Sequence, residues 1–208
     1  MCSTLDVMRI VLASASASRL SILRSAGVEP IIHPADVDED AIIAKSRHLG
    51  SEEIVTRLAV AKAEAVADQY PDDIVIGGDS MLLLDGLLQG KPLTVEKAIE
   101  RWREQRGKRA DLITGHCIIG PSGRHTEASS TAVYFAEITD ADIEAYARTG
   151  EPLPCAGAFT LEAIGGWFID RIEGDPSSVI GLSLPVVRRA LYALGYNASD
   201  FWNGKQLS

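Results

Sequence analysis

Residues 74–92 read Ile-Val-Ile-Gly-Gly-Asp-Ser-Met-Leu-Leu-Leu-Asp-Gly-Leu-Leu-Gln-Gly-Lys-Pro and set one carboxylate, Asp79, between two apolar runs. A carboxylate there is costly to bury unless it is paired, metal-bound or protonated for a purpose. Asp85-Gly86 is a strong hairpin-turn signal, so the returning strand, which closes on Lys91-Pro92, carries Lys91 back toward Asp79. An acid and a cation brought together in this way suit phosphate chemistry, where water must be aimed and anionic charge neutralised.

Other segments carry groups able to bind or react. The turn Leu12-Ala13-Ser14-Ala15-Ser16-Ala17-Ser18-Arg19 joins a strand to a helix using small residues, so a ligand can approach the backbone closely. The free amides at the helix start, the hydroxyls of Ser14, Ser16 and Ser18, and Arg19 all favour an anion. A plain serine-capped helix is the other reading, and the Gly-x-x-x-x-Gly-Lys pattern of a P-loop is absent. Lys62 shares a helical stripe with Val55, Ala59 and Val66, at the edge of a buried face. It is either a site group or a lysine that snorkels outward over apolar surface. The acidic loop 36–40 is either solvated or a ligand for a divalent cation, since Mg²⁺ prefers oxygen. His33, His48, His116 and His125 lack metal spacing and read as structural or exposed. Cys2, Cys117 and Cys155 are odd in number and also lack it, which suits filler residues in a reducing cytoplasm.

The elements that must position these groups alternate along the chain. Strands are expected at 9–13 and 29–33, with a short helix at 18–25 stopped by Gly27 between them. A long helix at 51–68 precedes the hairpin, and a helix at 94–106 follows, capped by Thr94 and stopped by Gly107. Strands at 110–119 and 126–136 form a second hairpin through Pro121-Ser122-Gly123. A helix at 140–148, a glycine-rich loop around 156–166, a strand at 167–171 and a last helix from Pro185 to Gly195 complete the set. This mixture implies an α/β domain with a mixed sheet, a single domain over 1–208 that can carry two lobes. The formal net charge of −9 argues against a nucleic-acid polymer or an anionic membrane as partner, while a local cationic site for a small anion stays open. The apolar stretches are strand-length, and the first residues lack the pattern of a signal peptide.

Taken in order, the segments resemble one family. Leu-Ala-Ser-Ala-Ser-Ala-Ser-Arg at 12–19, Asp-Val-Asp-Glu at 36–39, Arg-Leu-Ala-Val-Ala-Lys-Ala at 57–63 and Gly-Gly-Asp-Ser at 77–80 look like successive signatures of the Maf family. Gly-Lys-Pro at 90–92, Thr-Gly-His at 114–116, Thr-Gly-Glu-Pro at 149–152, Ala-Gly-Ala-Phe at 156–159 and Ile-Glu-Gly-Asp-Pro-Ser-Ser-Val-Ile-Gly-Leu-Ser-Leu-Pro at 172–185 continue the series over nearly the whole chain. The resemblance implies a cytoplasmic nucleoside triphosphate pyrophosphatase that cleaves between the α- and β-phosphates with Mg²⁺ or Mn²⁺. It implies an elongated two-lobed α/β fold shared with inosine triphosphate pyrophosphatases, a cleft between the lobes, and a homodimer. Asp79 matches the catalytic aspartate of the family; Ser14 and Arg19 match its phosphate-binding residues, and Lys62 and Lys91 its two site lysines. Glu39 matches an acidic position assigned, with Asp79, to the metal.

Two segments depart from the pattern. The usual Ser-x-Ser-Pro-Arg-Arg has Ala17 and Ser18 in place of Pro and the first Arg, which puts one phosphate contact in question. Glu162 stands where members resembling dTTP/UTP pyrophosphatases carry glutamine; members resembling the 7-methyl-GTP pyrophosphatase carry glutamate there, after the same Cys-Ala-Gly found here at 155–157. A carboxylate only accepts hydrogen bonds whereas an amide also donates, so base choice is expected to lean away from dTTP and UTP. A nucleotide-binding regulator of septum formation without essential catalysis is the alternative. A dinucleotide-dependent oxidoreductase is disfavoured, because the first turn lacks Gly-x-Gly-x-x-Gly.

Overall fold

The computed structural model describes residues 8–202; the chain start and Cys2 lie outside them. β1 (Ile10–Leu12) leads through the small residues 13–16 into α1 (Ala17–Ser25), and the chain returns as β2 (Ile31–Ile32). α2 (Glu39–Ser46) and α3 (Ser51–Ala67) follow, then β3 (Ile74–Leu84), β4 (Leu87–Gln89) and α4 (Val95–Gln105). β5 (Arg109–Gly120), β6 (Gly123–Phe135), α5 (Asp140–Arg148), β7 (Ile169–Glu173), α6 (Pro176–Ile180) and α7 (Leu184–Ala193) complete the chain. Helix starts fall where side-chain oxygens meet the first free amides: Ser16, Asp38, Thr94, Thr139, Asp175 and Ser183 each accept from a backbone N–H of the first turn.

The strands form one mixed sheet in the order β2-β1-β3-β5-β6-β7, with β4 added to β3. β3 is its hub. One edge pairs antiparallel with β5 in unbroken register from Val75↔Ile119 to Leu83↔Asp111. The other edge is shared, with β1 parallel at 74–76 and β4 antiparallel at 82–84. Residues 77–81 therefore face neither strand along that edge. Ala13 N–H donates to Ile76 O (2.9 Å) at the last β1 contact, so backbone alternation aims the polar groups of Gly78 and Ser80 into the opening. The Asp85-Gly86 turn that folds β4 back has φ of 49° and 83°, the two left-handed residues of a type I′ hairpin turn, as its sequence leads one to expect.

Both sheet faces are covered. On one, α3 runs along β3 and β5, with Ala59, Ala63 and Val66 on Val75 and Cys117, and Ile54, Val55 and Leu58 on Met81 and Ile113. The opposite face carries two separate clusters. At one end Leu23 of α1 and Leu191 of α7 pack on Leu12, Ile76 and Ile118. At the other, Trp102 of α4 and Tyr146 of α5 pack on Leu82, Leu112 and Phe135. The two clusters share the same long strands, and the stretch between them holds Gly78, Ser80 and Thr114. Tyr196 and Phe201 close the first cluster, so this part of the C-terminal segment docks on its own chain.

Two expectations need correction. Residues 36–40 are not all loop: Asp38 caps α2, accepting from Ala41 N–H (2.9 Å), and Glu39 opens the helix. The last sheet strand begins at Ile169 rather than Trp167, which lies in a 3-10 turn, because pairing to β6 starts only at Phe135↔Ile169. No helix among the described residues is long and apolar enough to cross a membrane.

Candidate active site

Asp79 meets its cation because α3 comes down onto the sheet backbone. A Cβ at Gly77 would lie 2.3 Å from Ala59 O, and one at Gly115 would lie 2.4 Å from the carbonyl of Val55. Any side chain at either position would lift the helix. With both absent, the stripe Val55, Ala59, Lys62 and Val66 is buried throughout. Lys62 Nζ lies 2.7 Å from Asp79 Oδ1 and 2.8 Å from Glu39 Oε1. The snorkelling reading fails, since the ammonium turns inward between two carboxylates. Burial pushes the Glu39 carboxyl up, but the hydrogen bond and charge of Lys62, with Lys91 and Arg19 beyond, hold it below its ordinary range.

Asp79 and Ser80 are adjacent in a strand and so point to opposite faces. On the Ser80 face, Gly78 leaves room for Arg19, whose Nε lies 3.4 Å from where its Cβ would stand. The guanidinium donates from Nε to Gly181 O (2.8 Å), from Nη1 to Ser14 Oγ (3.1 Å) and from Nη2 to Ser80 Oγ (3.2 Å). Ser80 Oγ also contacts Thr114 Oγ1 (2.9 Å), which donates to Ser178 O (3.0 Å). With the Thr114 proton committed to a carbonyl, the Ser80 proton goes to Thr114 and its lone pair to Arg19. Burial pulls the Arg19 pKa down from its usual value, opposed by the charges of Asp79 and Glu39. Ser16 Oγ accepts from Arg19 N–H (3.4 Å) as the α1 cap, so the capping reading holds for that hydroxyl while the turn itself faces the cavity.

These groups line one cavity of about 420 Å³, within the usual range for small-molecule sites. One side carries Ser14, Ser16, Arg19, Lys62 and Asp79; the other is built from Pro154, Ala156, Phe159, Thr160 and Glu162. Lys91 stands exposed at the rim and forms no ion pair with any carboxylate among the described residues. Cys155 lies in the second wall, and burial together with the charges of Glu162 and Glu151 pushes its thiol up to about 11. A thiol so held is protonated near neutrality and is no nucleophile.

The family model for Maf-like proteins matches residues 9–194. The chain belongs to the Maf family. A relative from Corynebacterium diphtheriae named nucleoside triphosphate pyrophosphatase is 74% identical over 196 residues, covering 94% of this chain and 99% of its own. Relatives of the same name from Corynebacterium glutamicum (strain R) and Rhodococcus opacus are 69% and 52% identical, covering 94% and 92% of this chain and 100% and 95% of theirs. The solved Staphylococcus aureus Ham1 protein is similar with a TM-score of 0.41 and 19% identity, over 62% of this chain and 72% of that one, too partial a likeness to argue from.

For this Maf chain the structure brings Ser14, Ser16, Arg19, Glu39, Lys62, Asp79, Lys91 and Glu162 to the same cavity, while of the acidic run 36–40 only Glu39 lines it. Three were missed. Ser80, Thr114 and the carbonyl of Gly181 hold Arg19 in place, and only the period-two alternation past Asp79 hinted at Ser80. His116 reads correctly as structural, its Nε2 accepting from Ser183 N–H (2.9 Å) and its Nδ1 meeting Glu127 O (3.2 Å). Among the described residues no group of three His, Cys, Asp or Glu forms a ready metal site. Asp79 and Glu39 each keep a second oxygen outside the Lys62 contacts, a two-carboxylate donor set that fits a hard cation sharing substrate phosphates.

Proposed function

We propose that the chain hydrolyses a nucleoside triphosphate, ordinary or modified, to the monophosphate and pyrophosphate. The observation that carries this is Asp79, buried and held by Lys62, in one wall with Arg19, Ser14 and the start of α1. Cleavage at the α-phosphorus needs a water aimed at it and charge neutralised on the leaving pyrophosphate. Asp79 orients that water and takes its proton. Lys62 fixes the Asp79 carboxylate. Arg19 and Lys91 take up triphosphate charge, with the free amides of α1 beside them. Asp79 and Glu39 would hold Mg²⁺ or Mn²⁺, which when bound adds positive charge against the phosphates.

The second wall is mostly apolar and ends in Glu162, chemistry that suits a base and repels phosphate. Glu162 repels the two carbonyl acceptors that flank the single N3–H of thymine and uracil, which supports a base with more donors or a positive charge. The reading includes a cytoplasmic location and a homodimer, which fractionation and light scattering test. Its main test is pyrophosphate release from a panel of triphosphates that includes 7-methyl-GTP, with and without Mg²⁺ or Mn²⁺. Metal-dependent release that Asp79→Asn abolishes is expected. Tight nucleotide binding with no release from any member would favour the regulator instead.

A further inference from the structure

Glu151 lies outside the cavity, yet its carboxylate gathers four hydrogen bonds. Oε1 accepts from Tyr146 Oη (3.1 Å), Thr160 Oγ1 (2.5 Å) and Gly165 N–H (2.9 Å), and Oε2 from Ile164 N–H (3.2 Å). Three of the donors come from the two ends of the segment 160–165 and the fourth from Tyr146 of α5. Gly165 N–H also reaches Thr160 Oγ1 (3.3 Å), and Thr160 N–H donates to Tyr146 Oη (3.2 Å). A Cβ at Gly165 would lie 2.5 Å from both Thr160 O and Tyr146 Oη, so the two ends of the loop meet in backbone contact. The neck of this loop is closed by one carboxylate and anchored to Tyr146 in the core beside Trp102.

Between the closed ends stands Glu162, exposed and facing the cavity, its Oε2 accepting only from the adjacent Leu161 N–H (3.1 Å) among the described residues. Nothing else described there fixes its height above the cavity floor, so its placement follows from the loop that carries it. We propose that Glu151 is a positioning residue for base recognition: it clamps the loop 160–165 so that Glu162 and Thr160 meet the base in a fixed place. The inference rests on the nucleotide reading above and names which part of the substrate this wall selects. Asp and Gln fail at 151 for different reasons. Asp is one methylene too short, and Gln keeps one acceptor oxygen but puts an NH₂ in place of the other, facing the backbone N–H of Gly165 or of Ile164, which cannot accept from it.

The test measures binding rather than turnover, by calorimetry with α,β-methylene triphosphates of the four common bases and of 7-methylguanine, and with inorganic tripolyphosphate. In Glu151→Gln the spread of affinities across bases should shrink by about tenfold, while tripolyphosphate binds as to the wild type. Tyr146→Phe, which removes one donor to Glu151 and the acceptor of Thr160 N–H while keeping the core aromatic, should shift the base spread in the same direction, and it takes over the test if Glu151→Gln does not fold. The wild-type pyrophosphate assay judges hydrolysis separately. The proposal is overturned if the base spread is unchanged in the foldable variant, if tripolyphosphate affinity falls in step with nucleotide affinity, or if the wild type itself does not discriminate among bases.

Discussion

Lys62→Met is the substitution whose consequence the geometry fixes best. The side chains of Lys62 and Asp79 are 9% and 10% exposed, that of Glu39 42%. Methionine keeps the apolar stem, so the change removes a charge with little packing loss. It strands Asp79 as a buried carboxylate, and breaking such a pair by removing one partner costs about 3–5 kcal/mol. Glu39, nearer solvent, adds less than about 1 kcal/mol. Asp79→Asn is not its mirror image. It leaves Lys62 bonded to Glu39, and the new amide oxygen can accept the same hydrogen bond, so its cost is about 1 kcal/mol or less. In the double variant no carboxylate is stranded at 79, and the two substitutions should couple by about 2 kcal/mol or more. Urea unfolding of the four proteins near neutral pH measures this, with pyrophosphate release assayed alongside. Both single variants should lose turnover while differing widely in stability. Equal costs that simply add, or a Lys62→Met protein within about 0.5 kcal/mol of wild type, would refute the buried-pair reasoning.

Other expectations follow from the same geometry. Gly77→Ala should cost about 1–3 kcal/mol by thermal unfolding, since its Cβ meets the α3 backbone at Ala59 and Ala63, and should lower turnover because Lys62 lies in the turn it displaces. Ser80→Ala removes one acceptor from the Arg19 fork, and the KM for triphosphate should rise about fivefold with the melting temperature held. His116 is held neutral by burial, its pKa pushed down to about 4 from 6.5. Between those values the unfolded chain binds a proton that the native chain refuses. Stability should therefore be full above pH 6.5 and fall by about 3 kcal/mol as pH drops toward 4, a slope that His116→Gln flattens in denaturation midpoints measured across that window.

Much of this molecule was legible in its residue pattern, for identifiable reasons. Asp79 stood out because a carboxylate between apolar runs needs a partner. The type I′ turn was announced by Asp85-Gly86, since only residues tolerant of positive φ fit it. Lys62 stood out on a stripe, but its direction was open until Gly77 and Gly115 were seen to seat the helix that low. α2 escaped because its eight residues offer adjacent Ile42 and Ile43 rather than a helical apolar stripe, and acids at 36–40 suggest a loop. Trp167, Phe168 and Ile169 form one apolar run that reads as strand from 167, whereas the pairing with β6 that defines the strand begins at Ile169. In the sequence Glu151 is one residue of a Thr-Gly-Glu-Pro motif. Three of its four donors come from a separate loop and the fourth from α5, and no local periodicity reports such a clamp.

Water aimed by Asp79 is expected to attack the α-phosphorus. Hydrolysis in ¹⁸O-labelled water, followed by ³¹P NMR of both products, tests it most directly. The label should enter the nucleoside monophosphate, and the pyrophosphate should carry none. Label in the pyrophosphate, or release of orthophosphate in its place, would contradict it.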